Sequence, residues 1–140
     1  MGGTTGYLEA LLLACCFVQV TVAVVNLNLV RILDWRADVE RMSPLVREVF
    51  YIHAFFVSFT LLIFAVLTWR FANVMATGGE PTAAWLAGAM GLFWGIRTLM
   101  QWFYYSPSHW RGQTGRTVIH WMLTVVYGAM TITYLIAASR

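Results

Sequence analysis

The stretch LAGAMGLFWGIRTLMQWFYY, Leu86 to Tyr105, decides the fold class. It is a continuous apolar and aromatic run interrupted by one formal charge, Arg97. A helix rises about 1.5 Å per residue, so about 18 or more such residues cross a hydrocarbon core of about 30 Å. A guanidinium inside such a run is costly unless something satisfies it. How the rest of the chain is read therefore turns on what faces Arg97.

Working outward, further apolar runs appear on both sides, giving expected spans at about residues 7–30, 49–69, 83–104 and 118–138. The chain has 140 residues, of which 60% are hydrophobic and 11% charged. A soluble domain is nearer about 25% charged. Composition and run length together predict an all-α integral membrane protein. A single domain, residues 1–140, is expected to form an up-down four-helix bundle. Too little chain lies between the spans for a soluble domain, so any chemistry sits in or at the membrane.

The N-terminal residues MGGTTGYLE lack the basic group that opens a secretory signal, so the first span is expected to be retained. LLAC, Leu12 to Cys15, loosely matches a lipoprotein cleavage box, and the same missing charge argues against that reading. Cys15 and Cys16 are neighbours within a span and read as small apolar packing residues, not as a disulfide or metal motif.

Orientation follows from the arginines. Arg31, Arg36, Arg41 and Arg47 lie between the first two spans, and Arg111 and Arg116 between the last two. Only Arg70 and Arg140 fall on the other side. The basic loops are expected in the cytoplasm and both termini outside, in a bacterial inner membrane. A net charge of +3 distributed this way reflects topology, and no basic patch suggests nucleic-acid binding. In the first loop, Asp34 is positioned to cap a short helix through Met42 that Ser43-Pro44 ends; a plain polar loop is the competing reading. ATGGEPT reads as a Gly-Gly turn with Pro81 opening the next helix. Gly91 and Gly95 form GxxxG, which suits packing inside the bundle or a homo-oligomer seam.

Polar residues in the spans are patterned. Thr117, His120, Thr124, Tyr127, Thr131 and Tyr134 recur at intervals of three and four, on one helix face. Met90, Trp94, Arg97, Gln101 and Tyr104 do the same in the preceding span. His53 shares a face with Thr60, and Gln19 with Asn26. Counted from the nearest loop arginines or span end, Asn26, His53, Gln101 and His120 fall roughly 5–9 Å inside the cytoplasmic boundary, with Arg97 deeper. The expected site is thus a buried layer of Asn26, His53, Arg97, Gln101, His120, Thr124 and Tyr127.

Several chemistries fit such a layer. It suits a ligand- or cofactor-binding protein, or an accessory subunit of a larger membrane assembly. Arg97 would hold the anionic or carbonyl head of a membrane lipid, quinone or other amphiphile, beside Trp94, Trp102, Tyr104 and Tyr105. Its neutralising partner is expected to be Glu48, neighbouring polar groups, an outside anion, or an acid from another subunit. A b-type haem would use His53 and His120 as axial ligands, with Arg97 at a propionate. A zinc or iron site would add His109 to His53 and His120, as in an enzyme acting on a lipid or quinone, although no HxxxH or ExxH spacing supports it. Paired carboxylates at membrane depth, a Ser-His-Asp spacing and a phosphate loop are all missing. All nine basic residues are arginine, so a lysine Schiff base is excluded.

The topology is directly testable. A cysteine placed at Asp38 is expected to react with an impermeant thiol reagent only from the cytoplasmic side; reaction only from the periplasmic side would reverse the assignment.

Overall fold

The computed structural model describes residues 2–103 and 114–140, and among these the protein is helical with no strand. Six helices follow in order: α1 Gly2–Leu27, α2 Leu29–Ile32, α3 Arg36–Glu40, α4 Pro44–Thr77, α5 Pro81–Phe103 and α6 Thr114–Ala138. Three stretches, Gly3–Leu27, Pro44–Thr77 and Thr117–Ala138, are long and apolar enough to cross a membrane. Their large apolar side chains are widely exposed, Phe17, Val66, Trp69 and Val125 among them. That is the reverse of a water-soluble bundle and what a lipid solvent permits. α5 has 23 residues, but Arg97 and Gln101 weigh against its apolar run.

α4 is longer than its apolar pattern. The span is expected at about 49–69, yet the helix begins at Pro44 and continues to Thr77. Pro44 suits a first helical position, where no N–H is needed. Beyond Arg70 the segment FANVMAT contains no helix breaker, so the helix outlasts the hydrophobic run. Its 34 residues measure roughly 51 Å, well beyond the thickness of a hydrocarbon core.

The chain forms two compact units. One is Leu13–Arg70. Within it, Asn26 of α1 donates from Nδ2 to the Ala54 carbonyl and to Ser58 Oγ of α4, both at 2.9 Å. Ser58, itself buried, donates to the same Ala54 carbonyl. Cys16 donates weakly to the Ala65 carbonyl at 3.2 Å, and neither Cys15 nor Cys16 forms a disulfide. The short-helix reading of the first loop holds in part. α3 is present, but Asp34 does not cap it: Asp34 takes a left-handed conformation at φ 54°, and α3 starts after Trp35 with no side-chain cap. Aspartate is one of the few non-glycine residues that tolerate such a turn position.

The second unit is Met1–Leu12 with Phe71–Arg140. Near one end, Asn73 of α4 donates to Glu9 of α1 at 3.0 Å. The Gly-Gly turn follows. Gly78 and Gly79 have φ of 76° and 89°, and the Gly78 N–H donates to the Val74 carbonyl, closing α4 with a left-handed cap. Pro81 then opens α5. α5 and α6 are tightly paired, and the α5 glycines lie on the seam: a Cβ at Gly91 would approach Leu135 to 3.0 Å and one at Gly95 would approach Thr131 to 3.4 Å. Buried Ala83, Ala87, Met90 and Trp94 continue this face of α5, as Tyr127, Met130, Tyr134 and Ala137 do on α6.

The two turn glycines separate backbone strain from packing. A Cβ on Gly78 would fall 2.8 Å from the Arg140 backbone oxygen, whereas one on Gly79 meets nothing within 4 Å. Gly79→Ala is expected to cost only the left-handed conformation, about 1–2 kcal/mol. Gly78→Ala is expected to cost clearly more, read as the larger drop in thermal unfolding temperature in detergent.

Candidate functional site

The α5–α6 pair assembles a polar cluster from two matched faces. On α5, Trp94, Arg97 and Gln101 stand three and four residues apart; on α6, His120, Thr124 and Tyr127 stand four and three apart. Arg97 Nη1 donates to Gln101 Oε1 at 2.9 Å, and Gln101 Nε2 meets His120 Nδ1 at 2.9 Å. The order of these bonds determines the chemistry. A guanidinium only donates, so the amide oxygen of Gln101 must face Arg97. Its NH2 must then face His120, which makes Nδ1 an acceptor and the imidazole neutral, with its proton on Nε2. Gln101, at 3% exposed, thus sets the histidine tautomer through the arginine.

Aromatic rings complete the cluster. The Arg97 Cζ lies 5.0 Å from the centre of the Tyr127 ring, a cation–π distance. The same ring lies 5.1 Å from Trp94 at an interplanar angle of 30°. Thr124 is buried, but its hydroxyl donates to the His120 carbonyl of its own helix. It lines the cluster without joining the chain of bonds.

The charge on Arg97 is not neutralised within its unit. Exposed Arg41 and Asp38 form an ion pair at 3.8 Å, and Arg97 forms none among the described residues. The acids of the Arg97 unit are Glu9 and Glu80. Glu9 accepts from Asn73. Glu80 precedes α5, roughly 25 Å from Arg97 by helical rise. Residues 104–113, outside the described residues, include no acid. Glu48, one partner expected for Arg97, is exposed on α4 and makes no ion pair among the described residues. Arg97 Nε and Nη2 likewise make no hydrogen bond among the described residues.

The expected layer resolves into two groups and an outlier. Arg97, Gln101, His120, Thr124 and Tyr127 come together. Asn26 belongs to the other unit, satisfied by Ala54 and Ser58. His53 belongs to that unit too, exposed and without a hydrogen bond among the described residues. No group of three or more His, Cys, Asp or Glu suited to a metal occurs among the described residues; His109, Tyr104 and Tyr105 lie outside them. Two polar contacts are not apparent from spacing alone: Ser58 as the partner of Asn26, and the Glu9–Asn73 bond. Ser58 sits among phenylalanines with no periodic polar signal, and Glu9 and Asn73 are 64 residues apart. Comparison with protein-family models, curated proteins and solved structures gave no match.

Removing Gln101 strands two partners at once. Gln101→Leu is expected to destabilise the protein by about 1–3 kcal/mol, the cost of a buried polar group left unpaired. Thr124→Val, which removes only a bond to its own helix, is expected to change stability by less than about 0.5 kcal/mol. Thermal unfolding of both variants in one detergent makes the comparison.

Proposed function

We propose that this chain is a four-span protein of a bacterial inner membrane whose α5–α6 hairpin binds the anionic head of a membrane-soluble ligand. It serves as a ligand-binding or accessory subunit. α5 supplies the fourth span, since its 23 residues rise roughly 34 Å and it exposes Trp85, Leu92 and Ile96. The six loop arginines support an orientation with both termini on the extracytoplasmic side.

One observation carries the reading of the site: Arg97 is a permanent cation whose Nε and Nη2 make no hydrogen bond among the described residues, and neither acid of its unit, Glu9 or Glu80, pairs with it there. A guanidinium in an apolar helix pair needs a counter-charge. An anionic head accepting from Nε and Nη2 supplies it, using the flat fork that carboxylates and phosphates fit. Tyr127 and Gln101 hold the guanidinium for that contact, and His120, fixed in one tautomer, braces Gln101 from the facing helix.

The test compares Arg97 variants against dodecyl phosphate, with dodecyltrimethylammonium as the cationic control. Wild type is expected to bind the phosphate selectively. Arg97→Lys should weaken binding about tenfold, because an ammonium lacks the fork. Arg97→Met should abolish binding and cost at most about 1–3 kcal/mol for the Gln101 Oε1 it leaves unpaired, a loss that Glu48→Gln does not restore. If Arg97 is instead neutralised by Glu48, Arg97→Met will destabilise the fold, and adding Glu48→Gln will restore it; that outcome contradicts a ligand role.

A further inference from the structure

Trp94 is 1% exposed, and its indole Nε1 is fully buried without a hydrogen-bond partner among the described residues. Indole N–H groups only donate, and buried ones normally find an acceptor. The hydroxyls of Thr98, Thr124 and Thr131 each donate to a carbonyl of their own helix, and none of them accepts from the Trp94 N–H. Trp94 lies one helical turn from Arg97 on the same face, and both side chains pack against the Tyr127 ring. By helical rise the two positions are roughly 4.5 Å apart along α5. Among the described residues the hairpin therefore carries two uncommitted donor stations in line: a cationic fork, and a neutral N–H deeper in the helix.

We propose that the Trp94 indole N–H is the second recognition group of this site, and that the ligand is an acylglycerol phosphate. Its phosphate lies on Arg97 and its ester carbonyl on Trp94. The inference rests on the ligand-binding role of Arg97. Both stations donate, so the ligand must accept at both. A simple fatty acid is a poor fit: its two oxygens share one carbon, and the Arg97 fork occupies both of them. A glycerol phosphate ester carries its charge and its carbonyl on separate atoms a few bonds apart. The carbonyl sits on the side of the acyl chain, further from the charged head. That order matches Arg97 near the end of α5 and Trp94 one turn inside it.

The experiment compares 1-oleoylglycerol 3-phosphate with its 1-O-alkyl ether analogue, which has the same charge and chain but no carbonyl. Both are titrated into the full-length protein in detergent. Wild type is expected to prefer the ester about tenfold, the worth of one good hydrogen bond to a buried donor. Trp94→Phe keeps a ring and removes the N–H; it should bind the ether as wild type does and lose the preference. Equal wild-type affinity for ester and ether overturns the inference, without needing any variant to fold. So does a preference that survives in Trp94→Phe. In either case, loss of both ligands in Arg97→Met leaves the Arg97 site standing. Undiminished binding of both in Arg97→Met overturns the site itself.

Discussion

The guanidinium of Arg97 has to be held inside an apolar helix pair, and the α5–α6 hairpin is organised around that requirement. Gln101 takes one of its N–H groups, Tyr127 offers a π face, and His120 fixes the amide of Gln101 from the facing helix. Each bond determines the next. A donor-only cation sets the amide orientation, and the amide sets the tautomer of the imidazole. The bonds tie the cluster together, while the positive charge meets no carboxylate among the described residues. Solvating a cation without cancelling it is what a binding site for an anionic head requires.

The same requirement explains the packing of the hairpin. Polar side chains can reach across only if the two backbones lie close. Gly91 and Gly95 provide this: one is buried at 3.0 Å from a neighbouring side chain for any added Cβ, the other is in ordinary contact. The glycines and the polar residues occupy successive turns of α5, the glycines beginning nearer its N-terminus and Gln101 lying near its C-terminus. Close approach along one part of the seam holds the polar partners within hydrogen-bond distance along the other. In the Leu13–Arg70 unit, Asn26 plays a local counterpart, tying α1 to a carbonyl and a hydroxyl of α4.

Much of this was legible in the sequence because helical periodicity is a strong signal in a chain with few charges. The three-and-four spacing of His120, Thr124 and Tyr127, and of Trp94, Arg97 and Gln101, places each set on one face before any pairing is known. The turn at Gly78-Gly79 and the opening of α5 at Pro81 were equally plain. Other features were hidden for physical reasons. The apolar run of α4 ends at Trp69, but helices end at breakers rather than at charges, so α4 runs on to Thr77. Depth counted from loop arginines put His53 level with His120, yet depth says nothing about the direction in which a side chain points, and His53 is exposed. The orphaned N–H of Trp94 was invisible, because an aromatic on an apolar face reads as core whether or not its nitrogen is satisfied.

The most direct measurement is native mass spectrometry of the protein released from a mild detergent. If an outside anion neutralises Arg97, wild type should retain one anionic phospholipid-sized adduct as detergent is stripped, and Arg97→Met should retain none under identical conditions. Wild-type protein that sheds every anionic adduct while keeping its fold would contradict a ligand role for Arg97.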